Sequence, residues 1–237
     1  MVDFSNHIEQ PEYAVKGHQV QISAVFKQVY GWMFAGLGVS GVVAWYVAAS
    51  GLYQRILAGP GMLACIVAEV VLVMVLSGAI RKLSPLAACA MFLAYSALNG
   101  VTLSVVFIAY ELALVQRVFF ITAGMFGGLA LWGTFTKENL SSVGSICGMA
   151  LWGLILAGIV NIFVRSSTLD WGLSLLGVVV FTGLTMYDAQ KIKELAARED
   201  LMDTTTIRKV GIVGALALYL DFINLFLHLL RLMSRKR

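Results

Sequence analysis

The sequence predicts an all-α integral membrane protein with seven transmembrane helices. Three observations carry that reading. First, 59% of the 237 residues are hydrophobic and 13% are charged, whereas soluble domains are roughly half apolar and a quarter charged. Second, mean hydropathy is +0.86. Third, seven separate apolar runs approach the length of about 20 residues that a helix needs to cross the hydrocarbon core.

Residues 1–28 are polar and weakly charged. They lack the charged start, short apolar core and cleavage site of a signal peptide, so the first membrane helix is expected to direct insertion. Residues 29–237 are read as one transmembrane domain, with spans at 29–49, 62–80, 86–110, 118–135, 143–164, 171–187 and 212–233. The sixth is short and extends naturally to Thr168 or Ala189. Connections are short except 190–211, which holds most of the mid-chain charge. No second domain or repeat is evident.

In the first span, Gly36, Gly38 and Gly41 formally spell GxGxxG. No strand precedes them and they lie within a membrane helix, so the nucleotide-binding reading fails its context test. Small residues that let helices approach closely explain them better, as they do the cluster Gly124, Gly127 and Gly128. Cys65, Cys89 and Cys147 all lie in apolar runs without CxxC or Cys/His spacing, which points to packing rather than a disulfide or zinc.

Orientation follows from Lys and Arg, which favour cytoplasmic loops. Ten fall on the side of the N-terminal tail, five of them between spans six and seven, against seven on the other. The N-terminus is therefore expected in the cytoplasm. The basic end, Arg231, Arg235, Lys236 and Arg237, argues the other way. A last helix that dips in and returns would leave both termini cytoplasmic. The net charge of +4 is topological and does not suggest nucleic acid.

Two carboxylates interrupt the apolar pattern. Asp221 lies inside the seventh span and Asp188 ends the sixth. A charged side chain at a bilayer centre costs about 2.5–3.5 kcal/mol on insertion scales, so each needs a proton, cation, partner or water-filled cavity. In the expected topology Asp221 lies roughly 14 Å into the seventh helix at 1.5 Å per residue. Asp188 sits near the inner end of the sixth, and Arg81 at the inner end of the second. Two acids that meet share a proton cheaply, and once deprotonated they form a hard-oxygen metal site suited to Ca²⁺. The bland reading is that each Asp separately caps a helix or pairs with a base.

Glu69 is a third acid, within span two, fit for lining an ion path or for hydrogen bonding across helices. Asn224, three residues after Asp221, faces similarly and offers an amide donor or a carbonyl ligand. His228 reads as a packing residue and Asn161 as an interhelical hydrogen-bonding residue.

Longer motifs now matter. Tyr187-Asp188-Ala189-Gln190-Lys191-Ile192-Lys193 and Ala215-Leu216-Ala217-Leu218-Tyr219-Leu220-Asp221-Phe222-Ile223-Asn224-Leu225-Phe226 resemble the Bax inhibitor-1 (transmembrane Bax inhibitor motif) family. Tyr30-Gly31-Trp32-Met33, Tyr95-Ser96-Ala97-Leu98 and Thr136-Lys137-Glu138-Asn139-Leu140-Ser141 look like its bacterial inner-membrane branch. The resemblance implies a last helix surrounded by the other six. It also implies a hydrogen-bonded, pH-sensing pair at Asp188 and Asp221, and an open, calcium-leaking state favoured by protonation. The basic latch on the helix-six aspartate carries over to Arg81, one position past Ile80, where counting from Glu69 places it.

Three functions follow as expectations. The first is a pH-sensitive calcium leak channel with no covalently bound cofactor, exchanging Ca²⁺ and H⁺ with the Asp188–Asp221 pair. The second is a membrane regulator that binds a quality-control protease or another membrane complex through the tail. The third is an intramembrane aspartyl protease, for which Tyr187-Asp188 matches one element. Tyr219-Leu220-Asp221 lacks the glycines of GxGD, and the three prolines, Pro11, Pro60 and Pro85, lie upstream. The reading adopted is not an enzyme.

Overall fold

A computed structural model describes residues 10–56, 59–80, 82–197 and 204–234. Among them are eight helices and no strand: α1 (Gln10–Ala49), α2 (Tyr53–Ile56), α3 (Gly61–Gly78), α4 (Pro85–Ala109), α5 (Leu112–Phe135), α6 (Ser141–Val164), α7 (Ser167–Ala196) and α8 (Thr204–Ser234). All but the single-turn α2 are long and apolar enough to cross a membrane. The chain is a multi-pass, all-α membrane protein.

Local chemistry explains several boundaries. Ser84 accepts a hydrogen bond from the Ala87 amide (3.1 Å) and Pro85 takes the first helical position, where its missing N–H is not needed. Ser166 does the same for α7 through the Leu169 amide (3.2 Å). Asn161 does not bridge helices as expected. Its side-chain oxygen accepts from the Ser166 amide (3.0 Å) at the N-cap of α7, where the amides that open a helix lack intrahelical partners.

Three helices outrun their apolar segments. α1 reaches back to Gln10, and Val25 and Val29 are fully buried, so the end of the expected tail belongs to the bundle. α7 continues past Asp188 to Ala196, and α8 starts at Thr204. Hydropathy marks the bilayer boundary, whereas backbone hydrogen bonding continues the helix into the polar region.

α8 is the central element: 67% of its apolar window is buried, against 11–33% for the other spans. It packs chiefly on α1, α7, α5 and α4, while α3 lies mainly against α4 and α6 against α7. The core is built around Tyr219, which meets Phe92 and Tyr95 edge-on at centroid distances of 5.9 and 5.8 Å. Phe222 meets Phe126 and Phe119 in the same way, at 5.4 and 5.6 Å.

Glycines set the closest crossings, though not all those expected. A side chain at Gly36 would strike Phe92 and Ser96, and one at Gly100 would strike the Ser40 backbone. Gly38, Gly41, Gly124, Gly127 and Gly128 face open space. These five mediate no close crossing within the chain, because small size permits an approach only where a neighbouring helix arrives.

Candidate functional site

α7 delivers Asp188 to the bundle, and its C-terminal end is clasped from the side. The Gln190 side chain accepts from the Leu140 amide (2.9 Å) and donates to the Glu138 carbonyl (2.7 Å). Lys193 donates to the Thr134 carbonyl in the last turn of α5 (2.7 Å), a favourable place for a cation. The helices are also in intimate contact. Side chains at Gly133, Gly144 and Gly183 would collide with Met186, Tyr187 and Cys147, respectively. Asp188 is thus carried on a stretch of helix with little freedom to shift alone.

α8 presents Asp221 toward this stretch. Asp221 is 4% exposed and its carboxylate lies within electrostatic reach of Asp188. Its Oδ2 atom is buried and has no hydrogen-bond partner among the described residues. A buried acceptor left unsatisfied forfeits its full desolvation energy, on the order of 1–3 kcal/mol, and such atoms are rare in native structures. Around the pair, Lys191 acts electrostatically on Asp188 while its ammonium rests over the Tyr187 ring, 5.5 Å from the centroid. Buried Cys147 lies within reach of Asp221. Arg81, the expected latch, lies outside the described residues.

A second polar region opens between α3, α4 and α8. It is a cavity of about 460 Å³ whose lining includes Glu69, Asn99, Thr102, Asn224 and Arg231. Glu69 accepts from the Thr102 hydroxyl (2.8 Å) and from the Asn99 amide (3.4 Å). Asn224 belongs here rather than beside Asp221, with its amide donating to the Leu220 carbonyl (2.8 Å). The two residues lie about 60° apart round the helix axis, and because α8 is packed on several sides each meets a different neighbour. His228 fills the space over Gly177 and stacks on Phe181 at 5.6 Å, the packing role expected of it, though its Nδ1 has no hydrogen-bond partner.

Residues 22–237 match the family described as Inhibitor of apoptosis-promoting Bax1. The chain belongs to the Bax inhibitor-1 family. Among relatives of this Bax inhibitor-1 protein is Inner membrane protein YbhL of Escherichia coli K12, 44% identical over 235 residues, covering 98% of this chain and 97% of the relative. A Borreliella burgdorferi protein is 44% identical over 213 residues, 89% of this chain and 91% of that one. YrjE of Lactococcus lactis is 38% identical over 217 residues, 89% and 90% of the two chains.

Two groups in this family member escaped sequence reasoning. One is the Gln190–Lys193 clasp, whose partners are main-chain atoms and so carry no side-chain signature. The other joins Asn99, Thr102 and Tyr219. Asn99 and Thr102 sit three apart in an apolar helix, on one face, and that spacing was the available signal.

Proposed function

We propose that this Bax inhibitor-1 family protein is a pH-sensitive calcium leak channel of the bacterial inner membrane, with a cytoplasmic N-terminus and with Asp188 and Asp221 as its proton sensor. The observation that carries the reading is the Asp221 Oδ2 atom, buried beside a second carboxylate and without a hydrogen-bond partner among the described residues. An acceptor in that state is the natural receiver of a proton or cation.

Ionised Asp188 holds Arg81 and closes the inner end; proton uptake neutralises the pair and releases the latch. α3, which packs mainly on α4, is the helix with least to break on moving away. The chemistry of passage suits Ca²⁺, which takes six to eight oxygens in flexible geometry. Among the described residues no three acidic, His or Cys side chains converge as a metal cluster. Asp188 and Asp221 therefore offer two carboxylates to be completed by carbonyls and water, which favours the weak binding that conduction requires. Glu69 and Asn224 line the remaining ion path.

The deciding experiment is Ca²⁺ entry into liposomes containing purified protein, between about pH 5 and pH 8. Wild type is expected to conduct more as pH falls. Asp188→Asn, Asp221→Asn is expected to lose that dependence. A wild-type pH response persisting in the double variant overturns the sensor. No flux above empty liposomes at any pH overturns the leak and moves the reading to a regulator of a membrane protease or other membrane complex.

A further inference from the structure

A hydrogen-bonded chain crosses the membrane domain from α1 to α3 through α8 and α4. Ser40 on α1 is 2.6 Å from the Tyr219 hydroxyl on α8. That hydroxyl donates to the Asn99 side-chain oxygen on α4 (2.9 Å). The Asn99 amide donates to Glu69 on α3 (3.4 Å) and the Thr102 hydroxyl donates to the other Glu69 oxygen (2.8 Å). Ser40, Tyr219 and Asn99 are all buried.

The direction of this chain has a consequence. A side-chain amide has one donor end and one acceptor end, and which way it points is set by its partners. Tyr219 carries a single hydroxyl proton; it goes to the Asn99 oxygen when Ser40 donates to Tyr219 in turn rather than to the Ser96 carbonyl, 2.7 Å away. That commits the Asn99 NH₂ to Glu69. Were the Tyr219 proton absent, the amide oxygen would lose its donor and the carboxylate alone would hold the NH₂ end toward Glu69. Glu69 projects from a helix that packs mainly on α4, and among the described residues Thr102 and Asn99 are its hydrogen-bond donors, one to each oxygen.

We infer that Asn99 and Tyr219 are positioning residues for Glu69. Tyr219 orients the Asn99 amide, and the amide holds the Glu69 carboxylate as a fixed oxygen ligand for a divalent cation in the α3–α4–α8 cavity. The inference deepens the leak reading and rests on it only for the transport measurement. The central helix thereby shapes the cation site without touching the cation.

Two measurements test it. The first needs no conduction: ¹⁵N-asparagine labelling of the purified protein gives five side-chain NH₂ signals, of which Asn99 is assigned by its loss in Asn99→Ala. The Asn99 signal is expected to move in Glu69→Gln and also in Tyr219→Phe, which removes one oxygen and leaves the ring packing. An unmoved signal in Tyr219→Phe overturns the positioning role, whether or not the protein conducts.

The second is the Ca²⁺ dependence of flux. Tyr219→Phe and Asn99→Ala are each expected to raise the half-saturating Ca²⁺ about tenfold, the size of a lost hydrogen bond to a charged group, with little change in maximal rate. Added to Glu69→Gln, Tyr219→Phe is expected to do nothing more. An additive effect, or a loss of maximal rate alone, identifies Tyr219 as a packing residue and overturns the inference. Absence of wild-type flux sinks the leak reading, and the NH₂ signal then decides the positioning role.

Discussion

Asp221 places a carboxylate oxygen where none of the described residues donates to it, so its replacement has an expected sign. Asp221→Asn exchanges that oxygen or its twin for an amide able to donate to Asp188. The variant is expected to unfold at higher denaturant concentration than wild type in detergent, with a gain of about 1 kcal/mol. A loss of stability would show that the carboxylate is satisfied in the folded protein. Gln190 is the opposite case, a buried amide with both ends engaged. Gln190→Ala is expected to cost about 1–3 kcal/mol by the same measurement. The two aspartates were legible in the sequence because charge in an apolar run is rare and needs a reason. Gln190 was not, since a polar residue following a span looks like any interfacial residue until its main-chain partners are known.

Glycines show where helix-level reading succeeds and fails. Gly127 and Gly133 both lie on α5, and nothing in composition separates them. A side chain at Gly133 would run into the Met186 backbone, whereas one at Gly127 meets nothing. Gly133→Leu is therefore expected to lower stability by about 1–3 kcal/mol or more, through forced separation of α5 and α7. Gly127→Leu should stay within about 0.5 kcal/mol. Equal losses in a denaturant titration would contradict the α5–α7 crossing. Span positions were readable because apolar length is dictated by bilayer thickness. Helix ends were less so: α1, α7 and α8 continue into polar sequence, where hydropathy falls silent.

For the bundle, the length of α8 bears on a question left open by charge. It is one helix of 31 residues, roughly 46 Å at 1.5 Å per residue, longer than the hydrocarbon core of about 30 Å. An unbroken helix of that length suits a single crossing rather than a dip and return, so its two ends are expected on opposite faces, despite the basic residues Arg231, Arg235, Lys236 and Arg237. With a cytoplasmic N-terminus, a phosphatase fused after residue 237 is expected to be active and a fluorescent protein there dark. The reverse result would invert the bundle and place the Glu69 cavity on the inner side.

Composition and apolar run length were sufficient to establish the membrane class and the number of spans, because both follow from one-dimensional quantities: transfer energy and helix rise. The two intramembrane aspartates and Glu69 stood out for the same reason. Their neighbours did not. The central place of α8 was expected through the family resemblance and not from hydropathy; that α3 and α6 lie behind α4 and α7, and that Asn224 joins the Glu69 cavity rather than Asp221, depend on which helix faces meet. So does the Tyr219–Asn99–Glu69 chain, whose members are 120 and 30 residues apart. Lipid-facing and helix-facing apolar residues are chemically alike, so hydropathy cannot rank the faces of a membrane helix. Only the packing does.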